Sequence, residues 1–256
     1  LRTLEPNVFF KGNNKYGIPD LELSKCAPPL DPIAVWCGVE ETKPCENYLW
    51  VYGKYSIKTL DMRKVIVAFY CDDNVFEKTW SDPVTFTTRM INRNPYAIVA
   101  PNFSMWAGTP YAVMLWNTYR SRWVSRYMQA AGLYVIPDVE GSGLYELDFS
   151  LAGIPEKCPC ISIQNQTSKM NLYEIGMMKK ATLEIIKRIK PQSIIFYCQR
   201  ERFENILKPI LPKQLHVLWV QSRMERINEY FDEQRKEKGD IYKKSGHRIV
   251  KKKITE

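Results

Sequence analysis

Histidine is nearly missing from this sequence. Only His216 and His247 occur among its 256 residues, the first opening an apolar run and the second inside a lysine-rich stretch. A Cys-His or Ser-His catalytic pair therefore has little to draw on, and the paired histidines of HUH-type replication nickases are absent. There is no GxxxxGK[ST] phosphate loop, and Gly141-Ser142-Gly143 is too short for a nucleotide fingerprint. No apolar run approaches the roughly 20 residues needed to cross a bilayer, and no charged-then-apolar leader opens the chain. A soluble, intracellular protein without a membrane partner is the expectation. The seven cysteines (Cys26, Cys37, Cys45, Cys71, Cys158, Cys160, Cys198) are odd in number and follow no repeated framework. Reduced thiols fit best, and Cys158-Pro159-Cys160 is too closely spaced for a CxxC zinc knuckle.

What the chain does have is a series of short apolar runs that end abruptly in polar residues. Val65–Phe69 leads into Cys71-Asp72-Asp73, Ile98–Ala100 into Pro101-Asn102, and Tyr134–Ile136 into Pro137-Asp138-Val139-Glu140. Ile161–Ile163 leads into Gln164-Asn165, Ile194–Tyr197 into Cys198-Gln199-Arg200, and Val217–Val220 into Gln221-Ser222. Helix-like segments separate most of them. Ser81-Asp82-Pro83 marks one helix start, with Ser81 as cap. Thr109-Pro110 precedes a helical period that Gly132 stops, and Asn171 to Ile189 is a third helix that Pro191 ends. Ser222-Arg223-Met224-Glu225 has capping-box spacing and opens a last helix. The expectation is an α/β protein with a mostly parallel sheet of about six strands and crossover helices, built either in three layers or as an incomplete TIM-like barrel. Residues 1–60, rich in Pro, Asn and aromatics, read as an irregular arm packed on the core, with one short strand at Tyr48–Tyr52. Residues 61–234 form the α/β domain, and 235–256 form a basic tail.

Charge is unevenly placed. The net charge is +9, and residues 235–256 hold nine Lys/Arg against three acids, so the tail accounts for +6 of it. Lys243, Lys244, Arg248, Lys251, Lys252 and Lys253 are the candidate nucleic-acid contacts, because clustered cations release condensed counterions from phosphates. A solvated tail, or one docked on an acidic protein in an assembly, is the competing reading.

In a parallel sheet the strand ends share one rim. Asp72, Asp73, Asp138 and Glu140 would gather there, and such carboxylates suit Mg²⁺ or Mn²⁺ and metal-assisted phosphoryl chemistry; alternatively they are helix caps and turn residues. Asn117 and Arg120 share a helix face, and with Arg122 they could bind phosphate or serve as structural ion-pair and surface groups. Asn102, Gln164, Asn165 and Gln199 add amide groups that read bases or close turns. Cys198, after a buried strand, is a nucleophile candidate without a histidine partner.

The motifs Ala68-Phe69-Tyr70-Cys71-Asp72-Asp73, Ala100-Pro101-Asn102-Phe103-Ser104-Met105-Trp106, Trp116-Asn117-Thr118-Tyr119-Arg120-Ser121-Arg122 and Gly132 through Val139 continue to Ile186 through Pro191 and Ile194 through Tyr197. In this order they resemble a family of uncharacterised proteins, a domain of unknown function found largely in bacteriophages, prophages and plasmids, over about residues 65–198. The resemblance implies an α/β fold and a mobile-element origin and brings no catalytic residues; with no span or leader, the cytoplasm of a host cell is the expected location. Glu140-Gly141-Ser142-Gly143 and Tyr197-Cys198 depart from the family pattern. Together these readings point to a nucleic-acid-associated protein of replication, processing or genome handling. The alternative is a non-catalytic interaction protein, such as an assembly component or an inhibitor of a host factor.

Overall fold

Each β-branched run pairs with the next one in sequence, because a strand buried on both faces can satisfy its backbone only against equally apolar neighbours. The computed structural model describes residues 8–38, 45–53, 60–105, 108–139, 146–165, 170–223 and 225. Within them lie β1 (Trp36–Gly38), β2 (Asn47–Val51), β3 (Val65–Ala68), β4 (Ala97–Val99), β5 (Val135–Ile136), β6 (Cys160–Asn165), β7 (Ser193–Cys198) and β8 (His216–Gln221). The first five form one parallel sheet in sequence order, and the last three form another. A parallel bridge between Asp138 and Ser162 joins the two sheets, and β1 lies beside β8. The strands thus follow one another around a ring whose ladder is interrupted twice, which is the incomplete TIM-like barrel rather than the three-layer sheet.

Alternation along the strands confirms the ring. Leu49, Val51, Ile66, Ala68, Ala97, Val99, Ile136, Cys160, Ile195, Tyr197 and Val220 meet in one interior cluster drawn from β2 to β8. Their neighbours Val65, Val67, Ile98 and Val135 face an outer layer of helices, as do Ile161, Ile194 and Phe196 on the other side.

The helices are α1 (Asp73–Phe76), α2 (Lys78–Ser81), α3 (Pro83–Arg93), α4 (Tyr111–Ala130), α5 (Leu147–Ser150), α6 (Leu172–Ile189) and α7 (Arg200–Leu207). Asp82, not Ser81, caps α3: its carboxylate accepts from the Thr85 amide at 3.2 Å, with Pro83 in the first turn. Asn171 caps α6 in a reciprocal box with Glu174, and Lys190 ends it in the left-handed region before Pro191. At Ser222 only half of the expected box forms. Ser222 Oγ accepts from the Glu225 amide at 3.3 Å, while the Glu225 carboxylate accepts from the Arg200 amide at 2.8 Å. Residues beyond 225, with the basic tail, lie outside the described residues.

The N-terminal part is less irregular than its composition suggests, since β1 and β2 both come from it. Before β1 the chain crosses the start of the barrel strands. The Ala27 amide donates to Val135 O at 2.8 Å, the Leu30 amide to Ser193 Oγ at 2.8 Å, and His216 Nδ1 lies 3.2 Å from Leu30 O. Ala27 and Leu30 belong to the interior cluster and plug this end. Cys37 and Cys45 are joined as a disulfide, against the expectation of wholly reduced thiols, because β1 and the approach to β2 bring their Cα atoms within 6.1 Å. Cys26, Cys158, Cys160 and Cys198 are buried free thiols.

Gly153 ties the N-terminal segment to the loop before β6. Its φ is +78°, its carbonyl accepts from the Leu21 amide at 2.8 Å, and a Cβ there would sit 2.2 Å from Pro19 O. Gly153→Ala is expected to lower stability by about 1–3 kcal/mol, through backbone strain plus the clash, read as a lower urea midpoint with unchanged slope.

Candidate functional site

Asp138 follows the two-residue strand β5, where Pro137 cannot donate to a neighbour and Asp138 itself makes the bridge to β6. The Ser162 amide donates to Pro137 O at 2.9 Å and the Val139 amide to Ser162 O at 2.8 Å. This turns the Asp138 side chain inward at the C-terminal end of the barrel, where it is only 2% exposed. Tyr70, at the end of β3, donates its hydroxyl to Asp138 Oδ1 at 2.8 Å, and Asn102, after β4, donates Nδ2 to Oδ2 at 2.6 Å. The Tyr70 hydroxyl also touches Ser162 Oγ. Burial outweighs these two donors and the nearby Arg122 charge, so the carboxyl is pushed up to about 6. The result is an acid that changes charge near neutral pH, with a phenol and a hydroxyl in line beside it. Such groups serve as general acids or bases, or as switchable hydrogen-bond partners for a ligand. Tyr70 stacks on Tyr197 of β7 at 4.7 Å, and Tyr197 Oη accepts from the Arg223 amide at 2.8 Å, which extends the cluster to β8.

Of the residues expected at the rim, Asn102 and Asp138 meet here. Asp73 turns the other way: its carboxylate accepts from the Ser104 amide at 3.1 Å and from Ser104 Oγ at 2.7 Å, pinning the loop after β4. Asp72 is exposed at the cap of α1, and Glu140 lies outside the described residues. Among the described residues no three His, Cys, Asp or Glu side chains are placed to hold a metal ion.

Asn117 donates Nδ2 to Ser104 O at 2.9 Å. Arg120 donates to Asn117 Oδ1 at 2.8 Å and to Glu77 at 3.2 Å, over the Phe103 ring at 3.9 Å. Its partner is Glu77, not Asp72 or Asp138, and the Asn117–Arg120 face braces the β4 loop. Arg122 is not a rim group. It is fully buried, and its guanidinium donates to the carbonyls of Asp138 (3.0 Å), Ser150 (2.6 Å) and Ala152 (3.2 Å). The reason is the helical turn: Arg122 faces the barrel, where it meets these backbone carbonyls.

Gln164 sits half-buried on β6 opposite Tyr197, and Gln199 caps α7 above β7. Asn165 instead turns outward, its Nδ2 3.6 Å from Met178 Sδ. Cys198 also faces the outer helices, and burial pushes its thiol up, disfavouring the thiolate. Tyr70, Ser162 and Tyr197 were not singled out by type; their inward parity, two positions on from Ala68, Cys160 and Ile195, is the signal that finds them.

A hollow of about 650 Å³ opens at the opposite end, between Pro29–Pro32, the end of α6 and His216. It lies under the strand starts, whereas ligands of parallel barrels bind where the strands end.

Because the raised Asp138 value means that ionisation opposes folding, the cost is absent below pH about 4, grows as pH rises, and is complete above about 6. It amounts to about 3 kcal/mol by linkage. Asp138→Asn has no charge to bury, so its stability relative to wild type should improve by about that amount between pH 4 and 7 in urea titrations. Arg122→Leu, which strands three buried carbonyls, should cost about 3 kcal/mol or more at every pH in the same titrations.

The family model described as "Domain of unknown function (DUF4417)" matches residues 11–211. The chain is 31% identical over 206 residues to the "Gene 1 protein" of Mycobacterium phage L5, covering 80% of this chain and 81% of that one. It is 26% identical over 230 residues to the "Gene 1 protein" of Mycobacterium phage D29, covering 90% of this chain and 77% of the other. No solved structure matches. Among the described residues, no helix is long and apolar enough to cross a membrane. With the match running from the N-terminal segment through α7, this chain belongs to the DUF4417 family, a domain of unknown function with relatives encoded by mycobacteriophages.

Proposed function

We propose that this is a nucleic-acid-associated protein of a phage or mobile element, acting in replication, processing or genome handling in the cytoplasm of the host. The observation that carries this reading is the segregation of charge: nine Lys/Arg against three acids in residues 235–256, on a body that is otherwise only mildly basic. Such a segment binds phosphates with little sequence preference and strong salt dependence. The resemblance to phage proteins supports a partner available during infection.

The mouth of the barrel is the place where a group on the bound chain would be handled. Its donor set is one buried carboxyl with a phenol, a hydroxyl and an amide, from Asp138, Tyr70, Ser162 and Asn102. That set suits proton transfer or the reading of a neutral polar group better than a hard cation, which favours several oxygen anions. A Mg²⁺ or Mn²⁺ site at this rim would need Glu140 or another acid to join Asp138.

Binding of single- and double-stranded DNA and RNA by the full chain should fall by about 10³-fold or more between low and moderate salt. Deleting residues 235–256 should abolish most of that affinity while leaving the far-UV circular dichroism of the barrel. Absent or salt-independent binding would favour the alternative, a non-catalytic protein-interaction module.

A further inference from the structure

We propose, on the reading that the protein engages nucleic acid, that its preferred partner is single-stranded and that the bases stack on aromatic side chains around the C-terminal rim of the barrel. In a parallel barrel each crossover helix begins at the rim where the preceding strand ends. Two contacts place the helix starts there. Asn117, in the second turn of α4, holds Ser104 O of the loop after β4, and Arg202 of α7 donates to Met170 O just before α6 at 3.4 Å.

The first two turns of α4 and the first turn of α6 carry large apolar side chains with little cover. Tyr111 is 53% exposed, Trp116 48%, Leu172 88% and Tyr173 74%. Three of the four are aromatic. Trp116 is held by a parallel stack on Tyr119 at 5.7 Å and an edge contact with Trp80 at 5.3 Å, so one face of a fixed ring is offered to solvent. A ring already held in place loses little freedom when a base stacks on it.

Cations border the same rim. Arg200 is exposed at the start of α7, and Arg223 follows β8 with a buried Nε that has no hydrogen-bond partner among the described residues. Acids also lie on these elements: Glu201 is exposed beside Arg200, while Glu225 accepts from the Arg200 amide and Glu204 from Lys208. Aromatic faces flanked by guanidinium groups complement a chain with flat, uncharged bases and anionic linkages. A duplex keeps its bases inside the stack and cannot present them to these rings.

The test compares binding of the full chain to a mixed-sequence single strand, to an abasic strand of the same length and charge, and to the duplex, at one salt concentration. The base-bearing strand should bind about tenfold tighter than the abasic one. Trp116→Ala and Tyr173→Ala should each shrink that ratio several-fold and leave abasic binding unchanged. Tyr173 is exposed enough that its variant keeps the fold even if Trp116→Ala does not. Equal, salt-sensitive binding of base-bearing and abasic strands, or a duplex bound as tightly as the single strand, overturns the stacking proposal and leaves the nucleic-acid reading standing. Failure to bind any of the three overturns both.

Discussion

The rest of the barrel depends on the way Asp138 and Ser162 close the gap between the two sheets. β5 contributes only Val135 and Ile136 to its ladder, so the backbone exchange around Ser162 provides the lateral hydrogen bonds that join the two sheets there. That exchange fixes the parity of the Asp138 side chain and drives it into the interior. A carboxyl buried there without donors would be prohibitive. Tyr70 and Asn102 supply one donor to each oxygen, and Ser162 meets Tyr70 on the far side. The junction that closes the ring is therefore the same group of atoms that makes a titratable centre at its mouth. Structural and chemical demands fall on one set of residues.

Helix α4 holds the surroundings of that centre in place. Two of its side chains reach inward to backbone carbonyls: Asn117 to Ser104 O, and Arg122 to those of Asp138, Ser150 and Ala152. A planar guanidinium with several donors in fixed directions can satisfy three carbonyls that no lysine could bridge at once. Arg120, lying over the Phe103 ring and paired with Glu77, joins α4 to the segment before α2. The loops after β3, β4 and β5 are thereby tied to one rigid element, which is what a binding or reacting site at their tips requires.

Much of this was readable before any coordinates. Continuous runs such as Val65–Ala68 and Ile194–Phe196 mark strands with two buried faces, and the Asn171 and Gly132 signals bound their helices because capping is a local matter of a few residues. Trp36–Gly38 escaped because three residues without a β-branched side chain carry no period, and their pairing with β2 is the only thing that makes them a strand. Ser81 and Asp82 both fit a cap by residue type, and only the backbone geometry assigns the role to Asp82. Polar type and strand-end position put Asp138 and Asn102 on one rim, and the structure brings their side chains together there. The same reasoning named Arg122 and Asn165, which the structure places on the backbone carbonyls of Asp138 and Ser150 and against Met178.

Sequence by itself determined the local and the additive properties of this protein: which segments are strands or helices, that consecutive strands run parallel, and that positive charge gathers in residues 235–256. These follow from side-chain shape, period and charge, which each segment carries alone. Only the tertiary structure decided that the strands bend into an interrupted ring, that Tyr70 and Ser162 stand beside Asp138, and that burial brings its carboxyl near neutrality. Those facts depend on distances between residues far apart in the chain, and on how much water their packing excludes.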